Sequence, residues 1–233
     1  MMDKKISIIL STYNEAKVIE NTINEIFKRV KDAEIIVVDD NSPDGTLEKV
    51  KKIKYPNLKI FSKKSRGLAA ALLTGLINSS GDVIGWIDSN QPSLVKKLPD
   101  MISKLDNYHM VILSRYIEGG GDQRKGLRIL SSKIINFCCR LILGNEIKDY
   151  TSGMFTMKRS VLTDVVPISY GHGEFFIEFL YKAKKKGIKI LEFPFTQPPD
   201  EEGTTKTAPN ILRFIYLGFF YITRIILLRF RRD

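Results

Sequence analysis

Apolar runs alternate with amphipathic stretches through the first half of the chain. The runs at 6–10, 34–38, 58–61, 83–87 and 109–114 are short and almost wholly apolar, which reads as buried strands. Between them, 16–31, 46–53, 68–79 and 93–105 carry a helical pattern. Strands alternating with helices predict a mostly parallel sheet. The rhythm breaks after residue 114. A glycine-rich, charged loop follows at 118–125, where Gly119, Gly120 and Gly121 allow close backbone approach to a ligand, or mobility. Next come a helix near 127–143, with Leu127, Leu130, Ile134, Phe137 and Leu141 at helical spacing, a helical stretch at 174–186, a strand at 188–193 and a polar loop over 194–208.

Three of the predicted strands end in polar side chains. The first runs into Ser11, Thr12, Tyr13, Asn14 and Glu15, the second into Asp39 and Asp40, and the fourth into Asp88, Ser89, Asn90 and Gln91. Open α/β sheets bind ligands beyond the carboxyl ends of their strands. Three polar ends therefore predict one shared cleft, in which carboxylates accept hydrogen bonds from a base or a ribose. The simpler alternative is that Asp40 and Asn41 only cap the helix that follows.

Five segments occur in order: 11–15 (Ser-Thr-Tyr-Asn-Glu), 38–46 (Val-Asp-Asp-Asn-Ser-Pro-Asp-Gly-Thr), 66–71 (Arg-Gly-Leu-Ala-Ala-Ala), 114–121 (Ser-Arg-Tyr-Ile-Glu-Gly-Gly-Gly) and 149–153 (Asp-Tyr-Thr-Ser-Gly). Together they resemble the family-2 inverting glycosyltransferases of the GT-A fold, and among them the dolichol-phosphate mannose synthase and polyprenyl-phosphate hexose synthase group. The resemblance implies an α/β, Rossmann-like, mostly parallel mixed sheet flanked by helices, with a catalytic domain over 1–208 and a C-terminal amphipathic helix over 209–233. It assigns Tyr13, Glu15, Asp40, Asp88, Ser89, Asn90, Gln91 and Lys206 to the nucleotide sugar. It assigns Arg115, Arg128 and Ser132 to an acceptor phosphate, with Asp88, Arg115 and Arg128 as the catalytic set. Asp88, Asn90 and Gln91 would hold Mg²⁺ or Mn²⁺.

Two positions depart from the family pattern. The metal motif Asp-x-Asp reads Asp88-Ser89-Asn90, so its second carboxylate is an amide, and Gln91 follows at once. An amide oxygen ligates a hard cation but brings no charge. In the late loop, Lys206 is kept, whereas Asp200, followed by Glu201 and Glu202, stands where the family has an Arg.

Charge and tail composition add a membrane to the picture. The chain has 233 residues and a formal net charge of +11, which suits an anionic partner. No nucleic-acid-binding pattern is present, so acidic lipid and phosphate ligands are favoured over nucleic acid. The tail after Asn210 is apolar and arginine-rich, and its longest uncharged run is far short of the ~20 residues a spanning helix needs. At 100° per residue, Arg213, Arg224 and Arg231 fall within roughly 20° of one another. That stripe suits a helix lying among lipid headgroups, with Tyr216 and Tyr221 near the interface. The alternative is a helix packed on the domain or on a partner's transmembrane helices. No secretory signal is evident, and the adjacent Cys138 and Cys139 make an unpromising staple, so a reducing, cytoplasmic location with peripheral membrane association is expected. His109 and His172 lack metal-ligand spacing and read as structural.

The expected activity is transfer of a hexose, mannose before glucose, from GDP-mannose or UDP-glucose to a polyprenyl phosphate, with a membrane protein subunit as a conceivable partner. A lipid phosphate is already largely dianionic at neutral pH and needs no base. A carbohydrate hydroxyl would need one, and Glu174 and Glu178 are the candidates. A weakened, nucleotide-sugar-binding adaptor is the third reading.

Overall fold

Strand β2 (Glu34–Asp39) is buried at every position, as a strand covered on both faces must be. It lies in a seven-stranded sheet of order β3-β2-β1-β4-β7-β5-β8. The other strands are β1 (Ile6–Thr12), β3 (Leu58–Ser62), β4 (Val83–Asp88), β5 (Met110–Ser114), β7 (Phe155–Lys158) and β8 (Ile190–Pro194). All neighbours pair parallel except β7, which runs antiparallel between β4 and β5. A two-stranded parallel ribbon, β6 (Gly121–Asp122) with β9 (Thr196–Gln197), forms a second, small sheet. The computed structural model describes residues 4–64, 66–124, 126–168, 171, 173–199 and 211–231, and the backbone alone of Leu127 and 211–217.

Helices α1 (Ile19–Arg29), α2 (Thr46–Lys52) and α4 (Leu98–Lys104) accompany one core, in which Ile8, Leu10, Ile35 and Val37 point to one face of the sheet. The alternate residues Ile9, Ile36 and Val38 point the other way, into a larger core shared with α3 (Leu68–Asn78), α5 (Leu127–Leu143), α7 (Glu174–Lys185) and α8 (Ile211–Phe230). A short helix, α6 (Val161–Asp164), follows β7. Helix α3 lies close on β1, because a Cβ at Gly75 would strike the Ile9 side chain.

Several predicted boundaries move for local reasons. Helix α1 begins three residues late, because Val18 and Ile19 N–H both bond the Glu15 carbonyl in a turn and Ala16 N–H is taken by Asp44. The helix expected over 93–105 splits into a 3-10 stretch (Pro92–Lys97) and α4, which opens with proline in its first turn. Strands β7, β6 and β9 and helix α6 had no strong periodic signal.

Helix α5 turns its predicted apolar stripe the opposite way. Leu130, Ile134, Phe137 and Leu141 are 53, 47, 58 and 74% exposed, while Ser132, Asn136 and Cys139 face inward. Helix α8 packs beside α5 and α7 and contributes Ile225 and Leu228 to the larger core. One member of its expected arginine stripe, Arg224, leaves the outer face. Arg224 turns inward to Glu174 and Glu178, at 3.2 Å from each. Tyr221 is also turned inward, and its hydroxyl accepts the Gly173 N–H at 2.9 Å. The outer face is instead Phe219, Phe220, Ile226, Leu227 and Phe230. Arg231 remains largely exposed, 3.6 Å from Glu178, and the side chains of Arg213 and Tyr216 lie outside the described residues. No helix among the described residues is long and apolar enough to cross a membrane.

Candidate active site at the carboxyl edge of the sheet

Parallel register brings the three polar strand ends together. Thr12 of β1 is level with Asp39 of β2, and Ser11 is level with Asp88 of β4. Asp39 is consumed by the scaffold: it accepts from Thr12 Oγ1 at 2.7 Å, from Ser42 N–H at 2.9 Å and from Ser42 Oγ at 2.6 Å. The turn that follows pins the first loop to the second. Asn14 N–H donates to Ser42 Oγ, Glu15 N–H to Thr46 Oγ1 and Ala16 N–H to Asp44. Burial works against the Asp44 carboxylate, but bonds from Thr46 and the Ala16 N–H outweigh it and hold its pKa below the usual value. Asn14 and Asn41 both take left-handed backbone (φ 57°), which Asn tolerates better than most side chains.

Asp40 does not cap the next helix. Its Oδ1 lies 3.1 Å from Lys63 Nζ and its Oδ2 accepts the Gly67 N–H at 2.8 Å, so it tethers the loop between β3 and α3. From that loop Arg66 reaches back to Tyr13. Its guanidinium carbon stands 3.8 Å from the ring centroid, and it also bonds the Tyr13 hydroxyl. Tyr13 and Asp40 thus share one wall with Lys63 and Arg66, two cations that sequence reasoning passed over. Lys63 carried no signal before folding. Arg66 opens the 66–71 motif, but only the folded loop gives it a partner.

The end of β4 divides its labour. Ser89 is buried and serves the scaffold: its hydroxyl donates to the Ser11 carbonyl and its own carbonyl accepts from Thr22. Asp88 is half-buried and Asn90 exposed. Gln91 Oε1 is buried without a hydrogen-bond partner. Among the described residues no three His, Cys, Asp or Glu gather as a metal-holding group. Lys206, Asp200 and His172 lie outside the described residues. His109 is structural, with Nδ1 accepting the Lys189 N–H at 3.0 Å. Cys138 and Cys139 are free thiols.

The second half of the site lies beyond β5. Arg115 is gripped side-on by Asp149, Nε to Oδ2 at 2.8 Å and Nη2 to Oδ1 at 2.7 Å, and Nη2 also donates to Thr151. Burial disfavours the cation, yet Asp149 more than offsets this and raises its pKa. With its side chain 3% exposed, Arg115 is held inside this network and has little surface to offer a ligand. Ser132 belongs to the same network. It accepts from the Tyr116 hydroxyl at 3.0 Å and lies 3.2 Å from Thr151 Oγ1. Asn136 ties α5 to the 149–151 segment by bonds to Thr151 Oγ1 and from the Tyr150 N–H. Arg128 stands one turn before Ser132 and is half-buried.

The triple glycine forms an anchored turn that uses the close backbone approach glycine permits. A Cβ at Gly120 would lie 2.8 Å from the Ser114 and Arg115 carbonyl oxygens, and the Gly121 N–H bonds the Phe195 carbonyl. The candidate bases are also spoken for. Besides Arg224, Glu178 faces Lys182 at 2.9 Å. Burial pushes its pKa up, but bonds from Lys182 and Arg224 prevail and hold it below the usual range, the wrong direction for a base poised near neutral pH.

The family model for glycosyl transferase family 2 matches residues 7–166, which spans both halves of this site. The chain belongs to that family. Among its relatives in the family is the dolichol-phosphate mannosyltransferase of Pyrococcus furiosus, 34% identical over 93% of this chain and 63% of that protein. The chain thus spans less than two thirds of that relative's length. The polyprenol monophosphomannose synthase of Mycolicibacterium smegmatis is 27% identical over 88% of this chain and 82% of its own. The glucosyl-3-phosphoglycerate synthase of Mycobacterium tuberculosis, solved with Mn²⁺ and UDP-glucose, superposes with a TM-score of 0.71 at 20% identity, covering 99% of this chain and 81% of that one. That likeness shows the fold: this glycosyltransferase has the GT-A architecture, a mostly parallel mixed sheet flanked by helices.

Proposed function

We propose that this glycosyltransferase moves a hexose, mannose in the first instance, from a nucleotide sugar to a polyprenyl phosphate at a membrane surface, with inversion. The observation that carries the reading is the orientation of α5. The helix that bears Arg128 and Ser132 at its start shows a continuous apolar stripe, Leu130, Ile134, Phe137 and Leu141, to the outside. Neighbouring α8 adds Phe219, Leu227 and Phe230. A greasy face of this kind marks an interaction site, and one that starts at the phosphate residues suits an acceptor whose tail lies in a bilayer. The Pyrococcus and Mycolicibacterium relatives, a dolichol-phosphate mannosyltransferase and a polyprenol monophosphomannose synthase by name, support the same reading.

In this mechanism the nucleoside lies against the wall of Tyr13, Asp40, Lys63 and Arg66. The acceptor phosphate oxygen attacks the anomeric carbon as its bond to the nucleoside diphosphate breaks. No protein base is required, because the attacking oxygen already carries charge. Asp88, Asn90 and Gln91 fit a divalent ion. Gln91 Oε1 is a buried acceptor in want of a partner, and oxygen donors suit Mg²⁺ or Mn²⁺. Such an ion would neutralise the departing diphosphate.

Transfer of radiolabelled sugar from GDP-mannose or UDP-glucose to undecaprenyl or dolichyl phosphate in vesicles tests the proposal. A lipid-linked product that releases its sugar in mild acid is expected. Transfer only to free carbohydrate, or none with either donor in the presence of Mg²⁺ and Mn²⁺, would refute it.

A further inference from the structure

Two guanidiniums stand near the end of β5, and each is held side-on by a carboxylate. Asp149 takes the Nε/Nη2 edge of Arg115, and Asp122 takes the same edge of Arg124, at 2.9 Å to Nε and 2.6 Å to Nη2. Asp122 also lies 3.7 Å from Arg115 Nη1, so it touches both. The two arginines differ in what remains. Arg115 spends Nη2 again on Thr151 and turns Nη1 toward Asp122, inside a nearly sealed site. The Arg124 side chain is 11% exposed against 3%, and its described side-chain bonds all run to Asp122. That leaves the Nη1/Nη2 end of Arg124, the fork that matches two phosphate oxygens.

The backbone beneath Arg124 is fixed. Gly121 N–H bonds the Phe195 carbonyl at 3.0 Å and Gln123 N–H bonds the Gln197 carbonyl at 2.9 Å, one on each side of Asp122. Burial raises and the Arg124 bonds lower the Asp122 pKa, with the bonds prevailing, so Asp122 stays ionised and keeps its grip. Arg124 also precedes α5 by a few residues, which places it beside the helix start that carries Arg128.

We infer that Arg124, oriented by Asp122, is a guanidinium that grips the acceptor phosphate, and that Arg115 is a positioning residue for Asp122 and the 149–151 segment. The inference rests on the reading that the acceptor is a lipid phosphate. It carries a further consequence. Each Asp–Arg pair is electrically neutral, so removing Arg124 alone leaves the Asp122 carboxylate facing the phosphate. The loss should therefore exceed that of one contact and be partly reversed by also neutralising Asp122.

Titration of the full chain with farnesyl phosphate, with farnesol as the headless control, tests this without turnover. Arg124→Ala is expected to weaken farnesyl phosphate binding at least about ten-fold. Arg124→Lys should fall between Ala and wild type, and the double variant Arg124→Ala/Asp122→Asn should regain part of the loss. The melting-temperature rise given by the nucleotide sugar should stay the same in all three. Wild-type affinity in Arg124→Ala, or no recovery in the double variant, overturns the inference. If Arg124→Ala melts early, Arg124→Lys decides: it must bind farnesyl phosphate more weakly than wild type while its nucleotide-sugar response is intact. A wild type that binds nucleotide sugar but discriminates nothing between farnesyl phosphate and farnesol removes the phosphate-acceptor reading itself, which separates the two failures.

Discussion

At the scale of single residues, adjacent carboxylates in one motif have different duties. Asp39 is spent on Thr12 and Ser42, whereas Asp40 holds the loop that brings Lys63 and Arg66 beside Tyr13. The local sequence offers Asp39 its nearby Ser42, but Thr12, Lys63 and Gly67, which separate the two roles, arrive only with the fold. Asp88 is the only carboxylate among the three residues offered to a cation. Asp88→Asn is expected to lower sugar transfer by about 100-fold or more, since the departing diphosphate loses its charge support. Single-turnover assays across a Mn²⁺ titration check this, and transfer within a few-fold of wild type would take Asp88 out of the chemistry. Arg115 was expected as a phosphate residue from the resemblance. Only the fold, which brings position 149 beside the end of β5, gives it to Asp149.

At the scale of elements, the strands were the most legible part, because a strand buried on both faces needs an apolar residue at nearly every position. Helix existence was legible too, but helix orientation was not. Periodicity reports that α5 has an apolar side. It does not report which side the sheet occupies, and Cys139, Asn136 and Ser132 face inward at the expense of Leu130 and Phe137. Leu130→Glu with Phe137→Glu should therefore leave folding intact and weaken binding to anionic vesicles more than ten-fold, since each lost apolar side chain is worth about 1.5–3 kcal/mol. Vesicle co-sedimentation with a thermal melt checks both halves, and unchanged sedimentation would mean that another surface meets the lipid. The α3–β1 contact is the converse case, tight and buried. Gly75→Val is expected to destabilise the protein by about 1–3 kcal/mol through overpacking against Ile9, visible as a lower urea midpoint.

At the scale of the whole molecule, the edge of the sheet opposite the site carries its own electrostatic anchor. Burial pushes the Glu34 carboxyl up, but bonds from Lys59, Ser7 and Ser80 pull it down to about 2 from 4.5. The folded state thus keeps a charge that the unfolded chain gives up first. This contribution is complete above pH 4.5 and is lost as pH falls toward 2, and it amounts to about 3 kcal/mol. Urea unfolding between pH 5 and pH 2.5 should show Glu34→Gln losing less stability with acid than the wild type; parallel curves would remove Glu34 from the account. The sequence by itself determined where six of the nine described strands lie, that three of them end in polar side chains, and to which family the ordered motifs are similar, because these properties are written in neighbouring residues. The tertiary structure alone decided that β7 enters antiparallel between β4 and β5, that the α5 stripe faces outward, and that Arg224 turns in to Glu174 and Glu178. Each of these depends on which distant segment arrives alongside, and a charge or an apolar face finds its partner only when the chain has folded.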